Sequence, residues 1–590
     1  MNNKKKILSF ALACLMIVMT FSAAIPAFAD ESTAITSPRK EGNWASYTVA
    51  EPDKAWYGDG SATAFEIDSL DEFIYFVQLS CGSEGVTFAG KTIAITCDLD
   101  LGDYYYTGIS TDKKDFQGTI VGKKGGVEGA SITVSNMFIK DGTGRNGFVT
   151  TQKGGGLKNL VLDNCIVTAY ASNVAVVCGL AHNATAEFSN ITVKNSKIDG
   201  GNESKNEDKP VGIIIGQVEG TCNVTVNDCN VSNSEIAWSG KDVGTVVGKI
   251  NNGSVAIKNV TVDKVDLRGV HNVGGVVGWF AKVGLSIDNI SVTNVNLYGA
   301  FDGSAKFSAV IGTCNKSFTL SNAYLNNISV NTEKKIDYYG DIVGYVDGGG
   351  NDVNILAIGC ITSDSSADYN IKEGEIVSFY KINAPIMQDG ASMRTTEGSN
   401  GLRFTSTLDA ASINAAASAK NAGLIKDSSY GTVICRNDKL NGEFTAENLN
   451  SSDYTDIKAK DGIYQIKDAE ENVTGVRFNA ALTGIAQNQK SIKFAARSYF
   501  EIKLADDTVV RAYSAFDETK NVRSMEYVAN MALADVTDAV DTEVPFPHAY
   551  EIGYKNSNTD GTAYVETTGT FYSRYSAVQC SILKTWATAN

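Results

Sequence analysis

Val243-Gly244-Thr245-Val246-Val247-Gly248 is followed, 30 residues on, by Val273-Gly274-Gly275-Val276-Val277-Gly278. Four more segments align with these two: Val174-Ala175-Val176-Val177-Cys178-Gly179, Val211-Gly212-Ile213-Ile214-Ile215-Gly216, Phe307-Ser308-Ala309-Val310-Ile311-Gly312 and Tyr339-Gly340-Asp341-Ile342-Val343-Gly344. Their closing glycines are 37, 32, 30, 34 and 32 residues apart. Self-similarity at such a period marks a repeat architecture.

A second line of similarity interleaves with the first. It begins at Asn159, Asn190, Asp228, Asn259, Asn289 and Asn322. Apolar residues follow at the first and third positions (Leu160 and Leu162, Ile191 and Val193, Val260 and Val262), with mostly polar ones between. That alternation is a half-buried strand. A second asparagine column stands five residues on, at Asn164, Asn195, Asn233, Lys264, Asn294 and Asn327. Asparagine tolerates left-handed backbone, so each column predicts a turn. One repeat is too short to bury a face alone, and neighbouring repeats must therefore stack. The pattern predicts a mainly β fold: a parallel, right-handed β-helix or solenoid, one coil per repeat.

Proline sets the limits. Between Pro52 and Pro385 only Pro210 occurs, and it ends the charged stretch Gly201–Lys209. Central strands exclude proline, so this stretch reads as an insertion that leaves the coil and returns. The two aliphatic residues before each closing glycine do not alternate. Either both faces are covered there or a bulge sits at the glycine.

After the closing glycine stand Leu180, Gln217, Lys249, Trp279, Thr313 and Tyr345, a mixed column expected to face solvent. The next column, Ala181, Val218, Ile250, Phe280, Cys314 and Val346, is apolar and expected to face inward. Trp279 and Tyr345 then lie two coils apart, roughly 10 Å at the strand spacing. They are the candidate ligand-binding residues, as rings stacking on the sugars of a glycan.

These residues resemble the GLUG-motif family of bacterial secreted and surface proteins over about 56–360. The match lies in the V-G-x-[VI]-[VI]-G pattern and in an upstream run: Phe88-Ala89-Gly90-Lys91-Thr92-Ile93, Asp98-Leu99-Asp100-Leu101 and Phe116-Gln117-Gly118-Thr119-Ile120. Ser308-Ala309 and Asp341 depart from it. The resemblance implies a surface or adhesin-like setting and no particular chemistry.

Upstream of the coils, Ser69-Leu70-Asp71-Glu72 is a capping box. Leu70, Phe73, Ile74 and Val77 continue it as the apolar stripe of a helix, placed to cap the solenoid. At the N-terminus, Lys4-Lys5-Lys6, an apolar run and Ala27-Phe28-Ala29 form a secretory signal peptide, with the mature chain expected to begin at Asp30. Several cysteines occupy columns where sibling repeats carry aliphatic residues, so the cysteines read as mostly buried, unpaired thiols.

After Pro385 mixed helix and strand signals replace the columns. Ala410 to Ala422 and Val522 to Ala534 read as helices, and Gly401-Leu402-Arg403-Phe404 recurs as Gly475-Val476-Arg477-Phe478. Gly390-Ala391-Ser392-Met393-Arg394 with that segment resembles a C-terminal module of clostridial-type extracellular proteins. Arg394, Arg403 and Arg477 are expected to pair internally with carboxylates, the usual condition for burying a charge. The organisation read is a signal peptide (1–29), an N-terminal linker (30–55), the solenoid (56–362), a linker (363–384) and an α+β or β-sandwich-like domain (385–590).

Composition narrows the chemistry. With 51 Lys and Arg against 67 Asp and Glu, the net charge of −16 argues against nucleic acid as a partner. Three histidines, His182, His271 and His548, stand far apart, and no C-x-x-C, H-E-x-x-H, G-x-S-x-G or P-loop occurs. No catalytic residue, metal ligand or cofactor site is assigned. Asp98, Asp100 and Asp103 form an acidic cluster that reads as turn residues on a solvated rim. No membrane span is expected once the signal is cleaved. The reading is a secreted or loosely cell-surface-associated, non-catalytic adhesion or carbohydrate-binding protein, with extracellular carbohydrate or a host or cell-surface ligand as partner. The alternative is a polysaccharide lyase or glycoside hydrolase with its site on the solenoid face.

Overall fold

The computed structural model describes residues 35–44 and 55–534, except 83–84, 112–113, 141–143, 202–206, 239, 283, 300–304, 332–337, 350–351, 363–367, 372–375, 395–398 and 461–462, together with 543–545, 570–572 and 577–588. The signal peptide read at 1–29, His548 and most of the Gly201–Lys209 insertion lie outside the described residues. Contacts divide the chain into two compact units, Glu31–Phe379 and Tyr380–Asn590.

The first unit is a parallel β-solenoid. One amphipathic helix, α1 (Leu70–Cys81), precedes most of its coils. A typical coil runs through a long strand, β1 (Asn223–Ala237), and two short ones, β2 (Asp242–Gly244) and β3 (Val247–Ile250). Each pairs in parallel with its counterpart one coil on. Stacking gives three sheets, of sixteen, seven and eight strands. The register is that of the sequence columns: Cys229 lies beside Val260, Val231 beside Val262 and Ile236 beside Leu267.

Both asparagine columns take left-handed backbone. Asp228 has φ 54° and Asn233 46°, and every counterpart, including Lys264, lies between 46° and 58°. The amides also bond along the stack, Asn289 Nδ2 to Asn259 Oδ1 at 2.9 Å and Asn327 Nδ2 to Asn294 Oδ1 at 2.6 Å. They thereby satisfy each other's polar groups at the bends.

Covered faces and a bulge-like bend both account for the paired aliphatic residues. Val246 and Val247 both donate their N–H to Val276 O, at 2.9 and 3.1 Å. Val276 and Val277 do the same to Val310 O. Two successive amides on one carbonyl turn the chain sharply, and all four side chains are buried.

Helix α1 begins as expected, with Ser69 Oγ accepting from Glu72 N at 3.3 Å. Glu72 reaches back to Asp68 N at 2.9 Å, one residue before the cap. Its buried face adds Phe76 to Phe73, Ile74 and Val77, while Leu70 is half-buried. Phe73 stacks on Phe148 at 5.9 Å, and Phe76 meets Phe88 edge-on at 4.9 Å, so the helix joins the solenoid core through aromatic rings. Nine described cysteines are free thiols, seven of them buried.

The second unit resolves the α+β or sandwich alternative in favour of two antiparallel sheets packed together, with helices on the same core. One sheet contains β4 (Ser392–Arg394) and β5 (Gly401–Asp409), which leads into α2 (Ala410–Asn421). The other contains β6 (Ile425–Arg436). Farther along the chain, β7 (Val473–Thr483) lies in the first sheet beside β5, and β8 (Phe494–Leu504) pairs with β6. The two recurring G-x-R-F segments are thus adjacent antiparallel strands. Leu402 and Phe404 pack with Ile434 and Ala496 across the sheets, and α3 (Met525–Ala534) adds Met525 and Val528. Ser406 and Ser498 hydroxyls meet in this interior at 2.5 Å.

Candidate functional site

The column after the closing glycine stacks as read: Leu180 beside Gln217, then Lys249, Trp279, Thr313 and Tyr345. Its neighbours Ala181, Val218, Ile250, Phe280, Cys314 and Val346 are wholly buried. The expectation that the column itself faces open solvent is corrected. Lys249 is 3% exposed and Tyr345 9%, and Trp279 is half-buried.

The cause is the bend. The outer sides of β2 and β3 face each other, and their side chains meet across the corner. Asn173 Nδ2 bonds Gln217 Oε1, and Thr313 Oγ1 donates to Asn272 Oδ1 at 2.6 Å. The Tyr338 and Tyr345 rings lie 4.4 Å apart, with Lys306 Nζ 4.8 Å from the Tyr345 centroid. Trp279 is held likewise: its Nε1 donates to Asn315 Oδ1 at 2.8 Å, and Lys249 Nζ lies 4.2 Å from its ring centroid. Each ring therefore already meets side chains of the corner.

A charged cluster sits in the same corner. Lys249 Nζ reaches both carboxylate oxygens of Asp208, at 2.5 and 2.7 Å, and lies 3.7 Å from Asp242 Oδ2. Asn272 Nδ2 donates to Asp242 Oδ1 at 2.6 Å. Burial pushes the Asp242 carboxyl up to about 7, against the lowering effects of Lys249 and Asn272. Two carboxyls and a lysine thus converge, but Asp242 and Lys249 are both enclosed.

The acidic cluster upstream is occupied by cations and turn amides. Arg39 reaches Asp100 at 2.5 Å, Lys40 reaches Asp103 at 2.7 Å and Lys124 reaches Asp98 at 2.5 Å. Burial alone would raise the Asp100 carboxyl, but Arg39, Asn136 and the Gly102 amide hold it below the usual range.

An open groove of about 620 Å³ runs along the second asparagine bend. Its floor includes Asn195, Asn233, Lys264, Asn294 and Asn327. Its flank is the column two residues on: Lys197 beside Glu235, then Asp266, then Asn296. Asn296 Nδ2 donates to Asp266 Oδ1 at 2.7 Å, and Lys197 Nζ lies 3.3 Å from Glu235. The sequence carried a signal for this groove, the polar column Lys197, Glu235, Asp266 and Asn296 two residues after the second left-handed column. An alternating strand puts such residues outside whether the surface is flat or hollow, so the signal did not distinguish a groove. Comparison with family models, with curated proteins and with solved structures gives no match, and the site is read from its own residues.

Proposed function

We propose that this chain is a secreted, non-catalytic surface protein whose solenoid binds extracellular carbohydrate along the asparagine-lined groove. The observation that carries this reading is the groove itself: amides, carboxylates and amines recur at one height in successive coils. Such groups donate to and accept from sugar hydroxyls, and a ladder repeating at about 4.8 Å per coil suits an extended polymer lying along the stack. The reading accords with the resemblance of the coils to GLUG-motif repeats and with the signal peptide read at the N-terminus. Binding moves here from Trp279 and Tyr345, whose rings are engaged within the corner, to the groove.

The test is retention of purified protein on a panel of plant and host polysaccharides, with depolymerisation scored alongside. Glu235→Ala with Asp266→Ala should weaken retention on a responsive polysaccharide and leave the melting temperature nearly unchanged. Equal retention by this variant would refute the groove. A second reading, a lyase or hydrolase, draws on the convergence of Asp208, Asp242 and Lys249. It requires that the protein depolymerise a polysaccharide and that Asp242→Asn abolish that activity.

A further inference from the structure

Three arginines in the second unit are matched by carboxylates. Arg511 meets Glu501 at 2.8 Å, Arg497 meets Glu443 at 3.1 Å and Arg436 meets Asp438 at 2.7 Å. Arg394 and Arg403 have no such partner among the described residues. Arg394 on β4 lies opposite Gly401, and Arg403 on β5 lies opposite Ser392. Residues two apart on a strand share a face, so the two guanidinium groups leave the sheet on the same side, as diagonal neighbours about 7–8 Å apart at the backbone. The intervening Met393 and Leu402 point the other way, into the core.

Internal pairing was expected for these arginines, and for this pair the structure overturns it. Neither guanidinium makes an ion pair or a hydrogen bond to any described residue, and the Arg394 Nε is buried without an acceptor. Burial lowers the Arg403 pKa, and the like charge of Arg394 lowers it further, while Tyr464 acts in the opposite sense. Arginine stays protonated in proteins at neutral pH. The fold therefore holds two partly buried positive charges together with no described counter-charge, an arrangement that costs stability unless an anion neutralises it. Arg477, the third of the set, is buried opposite Thr407 and Tyr464 on the neighbouring strands and takes no part in the argument.

Unmet acceptors lie close by along the chain and the sheet. Asn400 Oδ1 and Gln388 Oε1 are buried without donors. Asn400 immediately precedes Gly401, the residue opposite Arg394, and the backbone N–H of Gln388 donates to Thr405 O on β5. The guanidinium donors thus lack an oxyanion, and amide oxygens of residues neighbouring them in the chain and the sheet lack hydroxyl or amine donors. A uronic acid carries a carboxylate and several hydroxyls on one rigid ring. Inorganic phosphate at neutral pH offers mainly acceptors, and an acidic side chain of a peptide offers a carboxylate without neighbouring hydroxyls.

We propose that Arg394 and Arg403 form a binding site for the carboxylate of a uronate residue in an acidic polysaccharide, with Asn400 and Gln388 accepting from its hydroxyls. Paired guanidinium–carboxylate hydrogen bonds are charge-assisted and directional, which suits discrimination of an acid from its ester. This site is separate from the solenoid groove and does not depend on it.

The experiment is calorimetric titration of the full mature chain with oligogalacturonate, its methyl ester, poly-glutamate and inorganic phosphate. Oligogalacturonate should bind, with affinity falling as salt is raised, and the other three should bind at least about tenfold more weakly. Arg394→Gln and Arg403→Gln should each weaken oligogalacturonate binding by about tenfold or more. Each should also leave the melting temperature of the unliganded protein unchanged or raised, because it relieves a repulsion. An arginine in an internal pair would give the opposite result, a fall in melting temperature. That fall, equal binding of acid and methyl ester, or unchanged affinity in both variants would overturn the proposal. Equal binding of poly-glutamate would make this a site for acidic peptides instead. Glu235→Ala with Asp266→Ala in the groove should leave oligogalacturonate titrations unaltered, so failure of the groove and failure of the arginine site are read separately.

Discussion

Replacing Gly278 by alanine tests the corner that shapes the solenoid's outer surface. A Cβ there would lie 2.4 Å from Gly248 O, 2.6 Å from Val243 N and 2.8 Å from Val243 C. All three are backbone atoms of the preceding coil, so no side chain can swing aside. Bringing the nearest to the 3.4 Å edge of ordinary contact requires a movement of about 1 Å. That opens the bend where Val246 and Val247 of the preceding coil bond Val276 O. Two weakened backbone hydrogen bonds represent about 2 kcal/mol, and strain from overpacking adds about 1 kcal/mol or more. Alanine returns about 0.5 kcal/mol by restricting the unfolded chain. The expected loss is about 2–3 kcal/mol. Gly284→Ala is the control, since its added methyl meets nothing within 4 Å; it should stay within about 0.5 kcal/mol of the parent. Denaturant titration by far-ultraviolet circular dichroism gives the comparison as midpoints, because stacked repeats need not unfold in one step. Hydrogen exchange across 243–250 should locate the opening. If Gly278→Ala matched Gly284→Ala, the close approach of the short strands would not constrain the fold and the reasoning would fail.

Three other outcomes follow from the same geometry. Asp242 has a folded pKa raised to about 7, above its unfolded value near 3.8, so its contribution is complete below about pH 4 and is lost as pH rises through 7; Asp242→Asn should flatten that part of a midpoint-against-pH curve, and an unchanged slope would place the carboxyl in water. Tyr345→Ala should lower stability by about 3 kcal/mol, as loss of a buried ring does, and Trp279→Ala by less; retention lost at full thermal stability would return both rings to a ligand platform. Asn259 has φ 53°, so Asn259→Gly should be milder than Asn259→Ala by about 1 kcal/mol in chemical denaturation, and the reverse order would deny that backbone conformation governs the column.

Much of the coil was legible because it is written in local chemistry. Alternating apolar and polar residues state which side of a strand is wet, and asparagine twice per repeat states where the backbone turns left-handed. Stacking then multiplies each local preference by the number of coils, so even Lys264 follows its column at φ 54°. Ser308, which departs from the glycine column, is accommodated because its hydroxyl accepts from the amides of Val310 and Ile311.

What the columns do not encode is the angle between one strand and the next. Trp279 and Tyr345 point away from the core, as alternation requires, but whether an outward side chain is wet depends on how sharply β2 folds against β3. That angle comes from two successive amides sharing one carbonyl, a backbone event with no side-chain period. The meeting of Asp242 and Lys249 follows from the same bend, and Asp208 joins them from the stretch before Pro210. The state of Arg394 and Arg403 is likewise a tertiary matter. Local sequence shows a positive charge, while the carboxylate that neutralises a buried arginine can come from any distant strand, and only the packed sheets reveal that none of the described residues supplies one. The sequence by itself therefore determined the stack, its register and its turns, which arise from neighbours along the chain. Tertiary structure alone decided which outward groups are covered and which charges stand unmatched, because those depend on contacts between segments that no local period brings together.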